Sequence, residues 1–217
     1  LLLYADDLVL IAGSEMDLQK MLDEVHRHCK MWRVELNQKK TKVVVFGKRG
    51  VGGVSLRCGD MAIDEAAEYK YLGLIFEKRG WKKQREKMLR TARRAAAIAW
   101  GMVVQVGGMT TKGKSNIYNA LVRPHLEYGA EILATEHGLG WEEGEELQRW
   151  VGKRILGSGK HLANEAVQGE LGWMSLRGRR VMLRLSFWGK VLNMEKQRWV
   201  RRVYEASRAK HVGGAKA

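Results

Sequence analysis

Two adjacent carboxylates stand near the start of this chain, in Leu1-Leu2-Leu3-Tyr4-Ala5-Asp6-Asp7-Leu8-Val9-Leu10-Ile11-Ala12. Like charges side by side repel, and each needs a counter-charge. A divalent cation supplies one, and hard carboxylate oxygens suit Mg²⁺, with Mn²⁺ as the alternative ion. In isolation an Asp-Asp pair is most simply an acidic surface turn. Here the flanks are apolar and the remainder of the chain is basic, which favours a metal-holding tip. A second group is the lysine cluster of Leu36-Asn37-Gln38-Lys39-Lys40-Thr41-Lys42. On residue type alone it reads as a solvated cluster before a strand. A third is the run Lys78, Arg79, Lys82, Lys83, Arg85, Lys87, Arg90, Arg93 and Arg94, which stands against one acid, Glu86. That run is too lopsided for Glu–Lys pairing along a helix. It suits phosphate contacts that hold a duplex without reading its sequence.

These groups need elements to carry them. The apolar runs around Asp6-Asp7 are too short for helices and predict two buried strands joined by a tight turn. Ser14 and Asp17 have the spacing of a helix-capping pair. The helix it starts runs to about Trp32, with Leu18, Met21, Leu22, Val25, Cys29 and Trp32 as its apolar stripe. It is expected to pack on the sheet that holds the hairpin. Val43-Val44-Val45-Phe46 predicts a strand, and Gly47, Gly50, Gly52 and Gly53 a turn. Val54-Ser55-Leu56 and Met61-Ala62-Ile63 predict short strands around Gly59-Asp60. Tyr69 to Phe76 reads as one further strand with Gly73 inside it, which suggests a bulge or a close backbone approach. After Gly80 the strand signals give way to helices. Trp81 to about Val104 has one face of Trp81, Met88, Ala92, Ala95, Ala99 and Met102, and another of Lys83, Lys87, Arg90 and Arg94. Thr110 or Thr111 starts the next helix, in which Pro124 allows a kink or a new first turn. Trp141–Leu156, about Ser175–Lys196 and about Arg198–Lys210 complete the set.

Bulk composition narrows the partners. Lysine and arginine number 39 against 24 acids, a formal charge of +15, so the expected partner is a polyanion. No apolar run is long enough to span a bilayer, and no signal-peptide layout is present. Cys29 and Cys58 form no framework and read as reduced thiols of an intracellular protein, nuclear or cytoplasmic. His26, His28 and Cys29 lack a second ligand pair and do not read as a zinc site.

Tyr4-Ala5-Asp6-Asp7 resembles the catalytic hairpin of reverse transcriptases, most closely those of non-LTR retrotransposons. Later segments are similar to that family in the same order. The lysine loop resembles its segment after the catalytic helix, Tyr71-Leu72-Gly73 its primer-grip hairpin, and Leu121-Val122-Arg123-Pro124-His125-Leu126-Glu127-Tyr128-Gly129 part of its thumb. Leu147 to Gly157 and Leu171-Gly172-Trp173 to Leu176 look like the continuation. The resemblance implies an α+β fold: a partial polymerase palm over 1–79, with antiparallel hairpin strands and a packed helix. A helical thumb over 80–157 and a helical extension over 158–217 would follow. It implies an RNA-directed DNA polymerase that joins dNTPs to a DNA primer on an RNA template by two-metal nucleotidyl transfer. Asp6 and Asp7 would be catalytic metal ligands. Lys40 would lie near the pyrophosphate and donate a proton to it. Tyr71, Leu72 and Gly73, with Lys82, Lys83, Lys87, Arg90 and Arg94, would touch nucleic acid. The family's further metal aspartate has no convincing counterpart, since Asp60 and Asp64 fall in the wrong kind of segment. The chain opens inside an expected central strand. It is therefore expected to be a piece of a longer polypeptide, inactive without upstream fingers and palm. The alternative is a non-catalytic RNA- or DNA-binding remnant, or a maturase-like module.

Overall fold

The computed structural model describes residues 1–47, 53, 55–78, 80–133, 141–159 and 161–213. The expectations placed on Gly50, Gly52, Val54 and Arg79 lie outside them. The chain divides into two compact units, Leu1–Arg79 and Gly80–Ala217, and it is an α+β fold.

The first unit opens with β1 (Leu2–Tyr4) and β2 (Asp7–Val9), antiparallel, with Tyr4 opposite Asp7 and Leu2 opposite Val9. The expected burial of both strands does not occur. Leu1, Leu2, Leu3 and Tyr4 are all exposed, Leu3 at 67%. An apolar strand is buried only where another layer covers it, and among the described residues β1 pairs with β2 alone. Helix α1 (Glu15–Trp32) starts as its sequence dictates. The Ser14 hydroxyl accepts from the Asp17 N–H at 3.1 Å and donates to the Asp17 carboxylate at 2.7 Å.

The helix does not pack chiefly on the hairpin, as the pattern suggested, but on β4 (Leu56–Cys58). Leu22 is buried with Leu56, Cys58 and Ile63, and Leu10, just past β2, joins the rim of that cluster. Side chains of α1 also complete the β4 backbone. The Gln19 carboxamide accepts from the Arg57 N–H at 3.0 Å and donates to the Arg57 carbonyl at 2.8 Å, while Glu15 accepts from the Ser55 N–H. Trp32, expected at the end of the stripe, is exposed. An 18-residue helix is about 27 Å long, whereas a three-residue strand covers about 10 Å of it.

β3 (Lys42–Val43) runs parallel to β5 (Met61–Glu65), which pairs antiparallel with β4, giving the order β3-β5-β4. The valine-rich strand is thus shorter than its composition suggests. Val43 pairs with Glu65, the last residue of β5, so among the described residues Val44 to Phe46 have no partner strand, and Phe46 is exposed. The stretch Tyr69–Phe76 is not one strand with a bulge but a hairpin of β6 (Glu68–Tyr71) and β7 (Leu74–Glu77). Leu72 and Gly73 both take positive φ, 45° and 81°, as a two-residue hairpin turn of this hand requires.

The second unit is helical. α2 (Lys82–Val106) buries Gln84, Met88, Ala92, Ala96, Ala99 and Val103. The expected face was partly right. Over seven turns a 3.6-residue repeat drifts, so Val103 is buried in place of Met102 and Ala96 lies deeper than Ala95. α3 (Thr111–Ile117), capped by Thr110, runs into a π-helical turn (Tyr118–Val122) and then α4 (Arg123–Glu127). Pro124 explains the turn. It cannot donate a backbone hydrogen bond, and just before it the Arg123 N–H reaches the Tyr118 carbonyl, five residues back. α5 (Glu142–Ile155), α6 (Asn164–Leu171), α7 (Leu176–Leu192) and α8 (Trp199–Gly213) follow. α5 packs on α6 and α7, and α4 on α7, so helices from both sides of residue 157 share this unit. Among the described residues no helix is long and apolar enough to cross a membrane.

Its core is held by polar as well as apolar contacts. Tyr118 is 2% exposed; its hydroxyl donates to Gln148 at 3.0 Å, and Gln148 donates to the Met174 carbonyl at 2.9 Å. The Tyr118 ring stacks on Trp173, whose indole N–H donates to Ser115. Arg180 is buried, donates to the Leu126 and Leu133 carbonyls, and lies over the Trp141 ring. Arg179 grips Glu127 through two hydrogen bonds of 2.8 and 3.0 Å.

Candidate functional site

The acidic pair sits at a two-residue turn. Ala5 and Asp6 form it, and Asp7 opens β2. Ala5 adopts φ 52°, a left-handed conformation that costs an L-residue about 1–2 kcal/mol. Strain of this kind concentrates where a side chain must be aimed. Both carboxylates are exposed, and neither has a hydrogen bond or an ion pair among the described residues. Two hard, unpartnered carboxylates suit a divalent cation. They are only part of a donor set. No group of three or more His, Cys, Asp or Glu residues able to hold a metal ion occurs among the described residues. Asp64 is committed elsewhere, since its carboxylate accepts from Lys42 at 2.6 Å. Asp60 lies in the turn between β4 and β5.

The lysine loop is built around Asn37. Its side-chain oxygen accepts from the Lys40 N–H at 3.1 Å, and its carbonyl accepts from the Thr41 N–H and hydroxyl. Asn and Asp stabilise turns in this way. The loop separates its lysines: Lys42 is taken by Asp64, while Lys39 and Lys40 are exposed. No hydrogen bond or ion pair among the described residues links Lys40 to Asp6 or Asp7. Tyr71, Leu72 and Gly73 belong to the β6–β7 hairpin of the same unit, with Leu72 and Gly73 at its tip.

The basic run is split by the unit boundary. Lys78 belongs to the first unit and pairs with Glu65. On α2, Lys82, Lys83, Arg90 and Arg94 are exposed and Lys87 is half-buried, on the side away from the buried stripe. Lys82, Arg90, Arg93 and Arg94 have no ion pair among the described residues, as expected of a face with too few acids.

One charged feature has a geometry that its reading as a helix end did not convey. Arg154 is exposed and lies over two indole faces, 4.5 Å from the Trp150 ring centre and 5.2 Å from that of Trp100. The i,i+4 spacing of Trp150 and Arg154 was the available signal. Trp100 comes from a different helix, so spacing along α5 could not reveal it.

Residues 1–76 match the family of reverse transcriptases (RNA-dependent DNA polymerases). Among curated proteins, an uncharacterised transposon-derived protein of Caenorhabditis elegans is 30% identical over 140 residues, covering 59% of this chain and 46% of that protein. The chain therefore spans less than half the length of this relative. Since 59% of the chain exceeds the first unit, the likeness extends into the helical one. No solved structure matches. The acidic hairpin, the helix after it, the lysine loop and the β6–β7 turn all fall inside the stretch, residues 1–76, that matches the reverse transcriptase family.

Proposed function

We propose that this chain is part of a retrotransposon reverse transcriptase of the non-LTR type, acting inside the cell. The observation that carries the reading is the pair of exposed, unpartnered carboxylates at the strained tip of β1–β2, inside the stretch that matches the family. Asp6 and Asp7 would hold Mg²⁺ or Mn²⁺, which when bound activates an attacking hydroxyl and stabilises a leaving oxygen. The remaining roles are positional, since nucleotidyl transfer asks mainly for placed charge. The exposed ammonium of Lys40 suits a pyrophosphate neighbour and proton donor. The tip formed by Leu72 and Gly73, beside Tyr71, presents backbone to a primer strand. Lys82, Lys83, Lys87, Arg90 and Arg94 offer cations to template and primer phosphates.

Two carboxylates are fewer than a two-metal centre needs. The proposal is therefore that chain outside these 217 residues supplies the rest, and that they do not polymerise alone. A non-catalytic nucleic-acid-binding module is the second reading, favoured by the incomplete donor set among the described residues. The test is Asp6→Asn in the full-length polypeptide, assayed by primer extension on RNA with dNTPs. Loss of synthesis with RNA binding retained supports the polymerase, and unchanged synthesis rejects it. Incorporation of dNTPs by the 217-residue chain would refute the claim that it is incomplete.

A further inference from the structure

The Arg154 cluster is more than a helix end. It lies at a groove between α2, α3 and α5, lined by Ala99, Ile117 and Val151 at its base and by Trp100, Trp150 and Lys114 around it. No carboxylate lines this groove, and Arg154 has no acidic partner among the described residues. Trp150 is 45% exposed although it is the largest apolar side chain of its helix. An indole left half in water beside a guanidinium is a flat apolar surface next to a fixed positive charge. Nucleobases stack on such surfaces whatever their sequence, while the adjoining cations take the backbone.

We propose that this groove binds an unpaired stretch of nucleic acid, with a base stacked on Trp150 and the flanking phosphates on Arg154 and Lys114. Inside a duplex every base face is covered by its stacked neighbours, so the site selects single strands where the α2 cations do not. Charge decides between this occupant and an apolar protein segment. Two unneutralised cations at the groove repel the lysine- and arginine-rich surface of a second copy of this chain, and they attract a polyanion. The inference shares with the polymerase reading only the expectation of a nucleic-acid partner, and it uses neither Asp6 nor Asp7.

The test uses the 217-residue chain, with a labelled twelve-nucleotide oligouridylate and a blunt RNA–DNA duplex as probes, read by fluorescence anisotropy. Trp150→Ala is expected to weaken oligouridylate binding roughly five- to hundredfold and to leave duplex binding unchanged. Trp150→Phe, which retains an aromatic face and the fold, should restore most of the loss. Arg154→Gln should lower the slope of log affinity against log salt by about one. Trp188→Ala, an exposed indole on α7 away from this groove, should change neither probe. Equal weakening of both probes by Trp150→Ala, or no weakening of either, overturns the proposal. So does self-association of the wild-type chain that Trp150→Ala abolishes while oligouridylate affinity stays the same. None of these outcomes bears on Asp6→Asn, so either reading can fail alone.

Discussion

Replacing Tyr118 with Phe removes one oxygen atom from the core of the helical unit and leaves the ring stacked on Trp173. The lost hydroxyl donates to Gln148, which is 3% exposed and already spends its amide N–H on Met174. The variant therefore leaves the Gln148 oxygen buried without a donor, at a cost of about 1–3 kcal/mol near neutral pH. A second, pH-dependent effect follows from the same burial. Burial raises the Tyr118 phenol above its ordinary value of 10.0; nearby Arg123 opposes the rise, and Glu127 and Glu145 add to it. A group whose folded value is raised contributes stability that is complete below its unfolded value. That stability is lost as pH rises from there toward the folded value. At pH 11 the unfolded phenol is mostly ionised while burial holds the folded one back, which costs the wild type on the order of 1 kcal/mol that the Phe variant does not lose. Urea unfolding of both proteins by circular dichroism, at pH 7 and pH 11, measures the difference and cancels the lysines and other tyrosines they share. The gap should narrow by on the order of 1 kcal/mol at pH 11. A gap that stays constant across this range refutes the reasoning, because the phenol would then titrate alike in both states.

Gly152 should not tolerate a methyl group: a Cβ there would lie 2.5 Å from Val167 on α6, so Gly152→Ala should lower stability by about 1–3 kcal/mol in urea unfolding. Gly73→Ala places a side chain at φ 81° in the β6–β7 turn and should cost about 1–2 kcal/mol, whereas Ala5→Gly should stabilise the acidic hairpin, seen as slower amide exchange in β1 and β2. Burial pushes the Cys58 thiol up, with Cys29 and Asp23 adding to the rise. Iodoacetamide at pH 8 should therefore label Cys58 far more slowly in the native chain than in urea, and equal rates would contradict its burial. Arg90→Glu with Arg94→Glu should weaken duplex binding and flatten its salt dependence while changing stability by less than about 0.5 kcal/mol, since both side chains are exposed.

The sequence was most legible where a local rule acts alone. Ser14 and Asp17 specified the start of α1, Gly59-Asp60 the turn between β4 and β5, and the alternation of Met88, Ala92 and Ala99 the buried side of α2. Expectations failed where a distant partner decides. Among the described residues, Leu1 to Tyr4 carry the composition of a buried strand but have no covering layer, and Val44 to Phe46 outrun the strand that would pair with them. Leu72-Gly73 hid a turn because leucine seldom takes positive φ. α6 was missed because its eight residues lack a side-chain cap, although Gly172, left-handed at its end, was a stop signal in plain view. The acidic pair of the candidate site was legible from residue types alone. The Arg154 groove was not, because it needs three helices to meet.

The wide turn before Pro124 has a bearing on how the helical core keeps its alignment. Tyr118, Val122 and Leu126 all lie in the interior, four residues apart. In a regular α-helix each such step turns the side chain about 40° further round the axis, so the first and last would face very different directions. The π-turn takes up one residue of that rotation, and the proline ring keeps the ladder from reverting. A side chain usually regarded as a helix breaker thus acts as a phase lock. Pro124→Ala would free the helix to rewind, and a loss of Tyr118–Trp173 stacking, seen in near-ultraviolet dichroism, would reveal that it had done so.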